Sequence, residues 1–206
     1  SLAGVSLPTG EYYMILVVDI GNTTVSFGGV EISDREEYRV AFTTKLDTNC
    51  AWDTADYTVR LLKKLRALGR ATEVFTGVVI SSVVPKVLDV IREAMVSIFG
   101  LEPLVVTYES DLGIRLAVPE PQKLGRDRLA DAAWAAAHYP LPLVTADLGT
   151  ATTFNVVEEG GVFRGGVIAA GMETGLKALG AHTAQLPKLE LEIPRGVIGT
   201  DTRACM

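Results

Sequence analysis

The chain has 206 residues, 48% of them hydrophobic and 21% charged, enough for one large or two small domains with buried cores. A net charge of −6 and a pI near 5.0 leave no basic footprint, so nucleic acid is not an expected partner, and an anionic substrate needs a local positive site. No apolar stretch reaches the roughly 18 residues of a membrane span, so no membrane association is expected either.

Residues 1–13 contain Gly, Ser and Pro but no basic start followed by an apolar core. They read as an extension or vector remnant rather than a signal peptide, with Met14 as the start of the fold. Met14 to Val18 form an apolar run that stops at Asp19; Gly21 follows, then Asn22, Thr23 and Thr24. An apolar run bounded by turn residues reads as a buried strand. Gly21 lets the backbone turn tightly, the next three side chains add hydrogen-bonding groups, and Asp19 can order a cation or a water. The stretch can be a phosphate cradle; the same residues also make an ordinary hairpin turn.

Strands are expected over Met14–Phe27 and Val30–Thr43, around two turns, with Gly28-Gly29 as a hairpin signal and Arg35-Glu36-Glu37 as a solvated patch. Residues 53–68 read as a helix capped by Asp53 or Thr54, with Ala55, Val59, Leu62, Leu65 and Leu68 on one face and Gly69 past its end. Phe75 to Val84 is a buried-type strand, Pro85 suits the first turn of a helix to Phe99, and Leu104 to Thr107 is a short strand. Leu88, Ile91, Met95 and Ile98 form the stripe of that helix. Strands first, then alternating helix and strand, argue for a mixed α/β sheet. Cys50 and Cys205 are far apart, without metal-ligand spacing, and read as reduced cytoplasmic thiols. His138 and His182 are too isolated for a zinc cluster or a triad.

Residues 108–124 read as irregular, and Gly125-Arg126-Asp127-Arg128 then opens a helix to His138 whose small residues permit close packing. An acid in the first turn is favoured by the helix dipole, so Asp127 can be a cap. It can equally be a functional carboxylate flanked by cations. At Leu143–Thr153 the earlier grammar returns: an apolar run, Asp147, Gly149, a hydroxyl cluster from Thr150, and a second strand to Val157. Such self-similarity suggests two related halves, whose turns together could grip a nucleotide triphosphate; two unrelated hairpins would give the same pattern. Gly160-Gly161 marks a hairpin back to Val162–Ile168, Gly171 opens a helix through Leu176 and Leu179, and residues 183–206 read as mostly irregular.

Four motifs in this order resemble the type III pantothenate kinases: Asp19-Ile-Gly-Asn-Thr-Thr24, Gly125-Arg-Asp-Arg128, Asp147-Leu-Gly-Thr-Ala-Thr-Thr153 and Gly165-Gly-Val-Ile-Ala-Ala-Gly171. Softer similarities are Ser82-Val-Val-Pro85, Thr183–Pro187 and Gly199–Thr202, so that the resemblance spans residues 14–206. The family belongs to the acetate and sugar kinase, Hsp70 and actin superfamily. The resemblance implies an α/β fold of two ribonuclease-H-like (actin-like ATPase) domains, with mixed sheets around a nucleotide cleft. Those domains would be 14–139 and 140–206, the second incomplete because family chains continue past the position of Met206.

The activity so implied is ATP-dependent phosphorylation of pantothenate to 4′-phosphopantothenate in coenzyme A synthesis. ATP, magnesium and a monovalent cation (potassium or ammonium) are expected, as are a homodimer and a cytoplasmic location. By the same resemblance, Asp19, Gly21, Asn22, Thr23 and Thr24 hold phosphates, with Asp19 also on magnesium, directly or through water. Thr150 contacts ATP and Asp147 binds the monovalent cation. Asp127 is the catalytic base; Gly125, Arg126, Asp127 and Arg128 line the pantothenate site, and Thr202 reaches pantothenate across the dimer interface. The chain departs from the family at Ala117-Val118-Pro119, where a Tyr is common, and at Ala170, where the family has Pro. Two competing readings are another phosphotransferase of the superfamily and a non-catalytic nucleotide-binding or regulatory protein on the same fold.

Overall fold

The computed structural model describes residues 13–33, 37–194 and 196–206, apart from the side chain of Glu73. All of the expected N-terminal extension but Tyr13, and Arg35-Glu36 of the expected solvated patch, lie outside the described residues. The chain separates into two compact units: the described residues up to Ser110 with Gln122–Ala130, and Asp111–Pro121 with Asp131–Met206.

The first unit is built on β1 (Tyr13–Ile20), β2 (Thr24–Ile32), β3 (Tyr38–Asp47), β4 (Phe75–Ser82) and β5 (Leu104–Val105), in the order β3-β2-β1-β4-β5. The first three pair antiparallel; β4 and β5 join parallel through the crossover helices α1 (Thr54–Ala67) and α2 (Pro85–Phe99). Side chains alternate across a strand, and β1 shows it: Leu16, Val18 and Ile20 are fully buried, while Val17 and Asp19 are exposed. The buried set packs with Tyr57, Leu61 and Leu65 of α1 and with Val87, Ile91 and Met95 of α2. Both helices begin and end where local chemistry places them. Asp53 and Asp56 form a capping box on α1, Pro85 opens α2, and Gly100 closes it in the left-handed conformation.

Two sequence expectations fail in the first unit. Gly28-Gly29 is not a hairpin: both residues lie inside β2, opposite Val17 and Leu16 on one side and Thr43 and Phe42 on the other. Glycine is required at 29 because a Cβ there would stand 2.1 Å from the Phe42 ring. The buried face of α1 is Tyr57, Leu61 and Leu65, with Val59 and Leu68 exposed. Tyr57 buries a ring while its hydroxyl stays bonded to the chain, so an aromatic with a polar tip anchors the face instead of Val59.

The second unit holds β6 (Arg115–Leu116), β7 (Leu143–Leu148), β8 (Ala151–Glu158) and β9 (Val162–Ala170), in the order β6-β9-β8-β7. β7, β8 and β9 form an antiparallel meander like that of β1, β2 and β3, and β6 adds parallel to β9. The two-residue β6 lies in the stretch expected to be irregular, since so short a strand leaves no periodic pattern. Gly160 and Gly161, both at positive φ, make the expected hairpin between β8 and β9. Helices α4 (Met172–His182) and α5 (Thr202–Cys205) follow. The positions of β7 that match fully buried Leu16 and Ile20 of β1 are Val144 and Leu148, which are 63% and 65% exposed. Helix α3 (Arg126–His138) groups with the first unit up to Ala130 and with the second from Asp131.

Candidate functional site

In the first unit, Asp19 is the last outward-facing residue of β1 before the turn. Its neighbours in register are Ser26 on β2 and Ser81 on β4, so a carboxylate and two hydroxyl residues share one end of the sheet. The Ser81 hydroxyl is buried and takes no hydrogen bond among the described residues. In open α/β sheets, ligands bind beyond the carboxyl ends of the strands, which is where this group sits. The turn Gly21–Thr24 closes through Gly21 N–H donating to the Thr24 carbonyl at 3.0 Å, leaving Asn22 and Thr23 exposed.

Thr48, just past β3, returns to this turn. Its N–H donates to the Thr23 carbonyl at 3.0 Å and its hydroxyl to the Gly21 carbonyl at 2.7 Å. The residues on either side are braced by α1: Asn49 N–H donates to the Tyr57 hydroxyl at 3.0 Å, and that hydroxyl donates to the carbonyls of Asn49 or Asp47 at 3.3–3.4 Å. Burial pushes the Tyr57 phenol above its usual pKa, so it stays protonated as a donor.

The first turn of α3 belongs to the same unit. Arg126 Nη1 donates to the Ser82 carbonyl at 3.4 Å, tying the helix start to the end of β4. Asp127 Oδ1 accepts the Arg128 N–H at 2.8 Å, and among the described residues Oδ2 accepts no hydrogen bond. One oxygen therefore satisfies an orphan N–H of the helix start while the other remains open to a ligand. Gly125 fits against this carboxylate: a Cβ there would lie 2.4 Å from Asp127 Oδ1. Gly125→Ala should therefore displace the Asp127 side chain, and we expect kcat to fall at least tenfold with Tm nearly unchanged, because a side-chain end can swing aside cheaply. A large drop in Tm together with kcat would show that the contact serves the fold instead.

In the second unit, Asp147 is exposed near the end of β7, opposite Thr153 of β8, and Thr150 is exposed in the turn. Gly149 N–H donates to the Ala151 carbonyl at 3.0 Å. Gly171, just past β9, donates its N–H to the Thr150 carbonyl at 3.0 Å, and Thr174 in α4 adds a hydroxyl bond to the same oxygen at 2.7 Å. Thr202 is exposed at the start of α5, whose cap Asp201 accepts from Ala204 N–H at 2.8 Å. Val118, at the departure from the family's Tyr, lies beside Gly165.

The structure thus brings Asp19, Gly21, Asn22, Thr23, Thr24, Gly125, Arg126, Asp127 and Arg128 into one unit, and Asp147, Thr150 and Thr202 into the other. Sequence reasoning missed Thr48 and Thr174. The signal available was a hydroxyl residue shortly past the third strand of each repeat.

Two mixed sheets, each with an Asp-x-Gly turn at the end of its first antiparallel strand, define an α/β fold of two repeated units. A family model described as type III pantothenate kinase matches residues 15–206, and the chain belongs to that family. A type III pantothenate kinase from Bifidobacterium longum subsp. infantis is 35% identical over 193 residues, 94% of this chain and 74% of the relative. One from Phenylobacterium zucineum is 37% identical over 193 residues, 94% of this chain and 73% of the relative. Among solved structures, the type II variant of the Aquifex aeolicus Ppx/GppA phosphatase superposes with a TM-score of 0.47 at 16% identity, covering 86% of this chain and 58% of that one. The reaction is that of the family: ATP-dependent phosphorylation of pantothenate in coenzyme A biosynthesis.

Proposed function

We propose that this transfer runs through Asp127 as the base that takes the proton of the pantothenate hydroxyl, with Gly125, Arg126 and Arg128 lining the pantothenate site. The observation that carries the assignment is the Asp127 carboxylate, anchored through Oδ1 and open at Oδ2. A general base needs both a fixed position and a free lone pair. The two arginines bring positive charge to a chain of net charge −6, where the carboxylate of pantothenate requires it.

Asp19, Gly21, Asn22, Thr23 and Thr24 would hold phosphates of ATP, and Thr150 would contact ATP from its own turn. Magnesium is bound in such sites by one or two carboxylates with substrate phosphates and water, rather than by a protein cage. Asp19, at the open end of β1 and acting directly or through water, fits that donor set. Asp147 would hold potassium or ammonium. Bound cations supply charge that offsets the transferring phosphoryl group, and the protein's remaining task is positioning.

A homodimer in which Thr202 contacts the partner's pantothenate is part of the same proposal. Its support is an aromatic group exposed on and after α3, where Trp134 stacks on His138 at 4.5 Å and meets Tyr139 edge-on at 5.7 Å. A cytoplasmic location accords with Cys50 and Cys205 as exposed free thiols. No helix among the described residues is long and apolar enough to cross a membrane.

The test is phosphate transfer from ATP in the full-length protein, with magnesium, with and without pantothenate and potassium. Product that requires pantothenate and rises with potassium is expected. Transfer to a different acceptor, or ATP binding with no pantothenate-dependent turnover, would overturn the reading. Turnover indifferent to monovalent cations would remove the role given to Asp147.

A further inference from the structure

The two turns are held by matched clamps. In the first sheet Thr24 pairs with Asp47, and in the second Ala151 pairs with Ala170, so Thr48 and Gly171 occupy the same place just past the third strand. Each donates its N–H to the residue before the paired one, Thr23 or Thr150, at 3.0 Å. Each turn also receives one threonine hydroxyl on a carbonyl at 2.7 Å: Thr48 on Gly21 in the first, Thr174 on Thr150 in the second. The register makes the first turn one residue longer, since Asp19 pairs with Ser26 and Asp147 with Thr153. The clamp persists despite that difference in length, with donors from different elements. Thr48 supplies both bonds itself, whereas in the second unit Gly171 supplies one and Thr174, on α4, supplies the other.

A trans peptide is planar, with its C=O and N–H on opposite sides. A hydroxyl that fixes a turn carbonyl therefore turns the N–H of the same peptide away from itself. It also occupies an oxygen that would otherwise repel a phosphate. In the first turn the peptide fixed this way carries the N–H of Asn22; in the second it carries that of Ala151. Backbone N–H groups held in a turn are the elements of an anion site. The Thr48 clamp is itself rigid, because Tyr57, 1% exposed, is bonded to the residues flanking it.

We propose that Thr48 and Thr174 are paired positioning residues for the phosphates of ATP, each acting through the turn carbonyl that its hydroxyl holds. This rests on the reading of the two turns as phosphate sites. Neither residue touches the reacting atoms, so their effect belongs in nucleotide affinity rather than in the chemical step.

The experiment is calorimetric binding of magnesium–ATP to the full-length protein and to Thr48→Val, Thr48→Ser, Thr174→Val and Thr174→Ser, with Tm and steady-state kinetics alongside. Each valine variant should raise the Kd for ATP about five- to tenfold, the size of one net hydrogen bond. Each serine variant, which keeps the hydroxyl, should return it to within about twofold of the parent. The KM for pantothenate should move little. Valine variants that lower Tm but bind ATP like the parent would assign the hydroxyls to the fold alone and overturn the proposal. Serine variants as weak as the valine variants would overturn it too, because the hydroxyl would not then be the group responsible. Should Thr48→Val fail to fold, Thr174→Val carries the same test from an exposed position. Failure of the parent itself to bind magnesium–ATP would instead remove the underlying reading of the turns, and this proposal with it.

Discussion

Asp127→Asn is expected to lower kcat by about 10²–10⁴-fold, the usual contribution of a positioned general base, while leaving the fold in place. The amide keeps an oxygen for the Arg128 N–H that Asp127 Oδ1 now accepts at 2.8 Å. Asn and Asp are comparable at helix starts. What the substitution removes near the start of α3 is a negative charge, worth about 0.3–1 kcal/mol beside a helix N-terminus. In a chain of this size that shifts Tm by only a few degrees, at roughly 2–4 °C per kcal/mol. The KM for pantothenate should change little, because the neighbouring arginines are untouched.

The two roles that the sequence leaves open for Asp127 separate on that pair of readouts. A cap without chemistry would show Tm and kcat falling together in Asp127→Ala and both near the parent in Asp127→Asn. A base shows kcat collapsing in both variants, with Tm falling only in the alanine. Near-parental turnover in Asp127→Asn would sink the assignment.

Much of the fold is legible in the sequence wherever the cue is local. The ends of α2 are marked by Pro85 and Gly100, each chosen by the backbone conformation at its own position. The strands on either side of each Asp-x-Gly turn follow from apolar runs stopping at polar residues, and the echo between Asp19–Thr24 and Asp147–Thr153 reports the repeated meander. The misreadings arise where the reason for a residue lies far along the chain. Gly29 looks like a turn residue, but it is glycine because the Phe42 ring covers it from the neighbouring strand. An apolar stripe on α1 passes over Tyr57, yet its ring is buried and its hydroxyl is bonded to Asn49.

The candidate site divides the same way. Its motif residues announce themselves by type and spacing. Thr48 and Thr174 reach their carbonyls across 27 and 24 positions, and only folding brings them there. The double duty of Asp127 is also a matter of geometry, since no spacing says which of its two oxygens is engaged.

Gly171→Ala is expected to be strongly disruptive in the second unit. The backbone φ of −64° at Gly171 suits alanine, so conformational strain is not the reason. A Cβ would instead stand 2.1 Å from the Gly149 carbonyl oxygen and 2.6 Å from that of Thr150, both backbone atoms. Relief requires moving the turn or breaking the 3.0 Å bond from Gly171 N–H to the Thr150 carbonyl. Overpacking of this kind costs about 1–3 kcal/mol, with about 1 kcal/mol more for the hydrogen bond. A loss on the order of 3 kcal/mol lowers Tm by roughly 6–12 °C. ATP affinity should fall at least tenfold besides, because the atoms displaced are those of the Thr150 turn. Gly175→Ala, one turn further along α4, is the control. Nothing lies within 4 Å of its Cβ position, and alanine in a helix interior is favoured over glycine by about 1 kcal/mol. It should therefore raise Tm slightly and leave ATP binding alone. Equal behaviour of the two variants would show that helix propensity, not close approach to the turn, governs both positions. Opposite behaviour would show that the Thr150 turn is held in place by a backbone contact that admits no side chain.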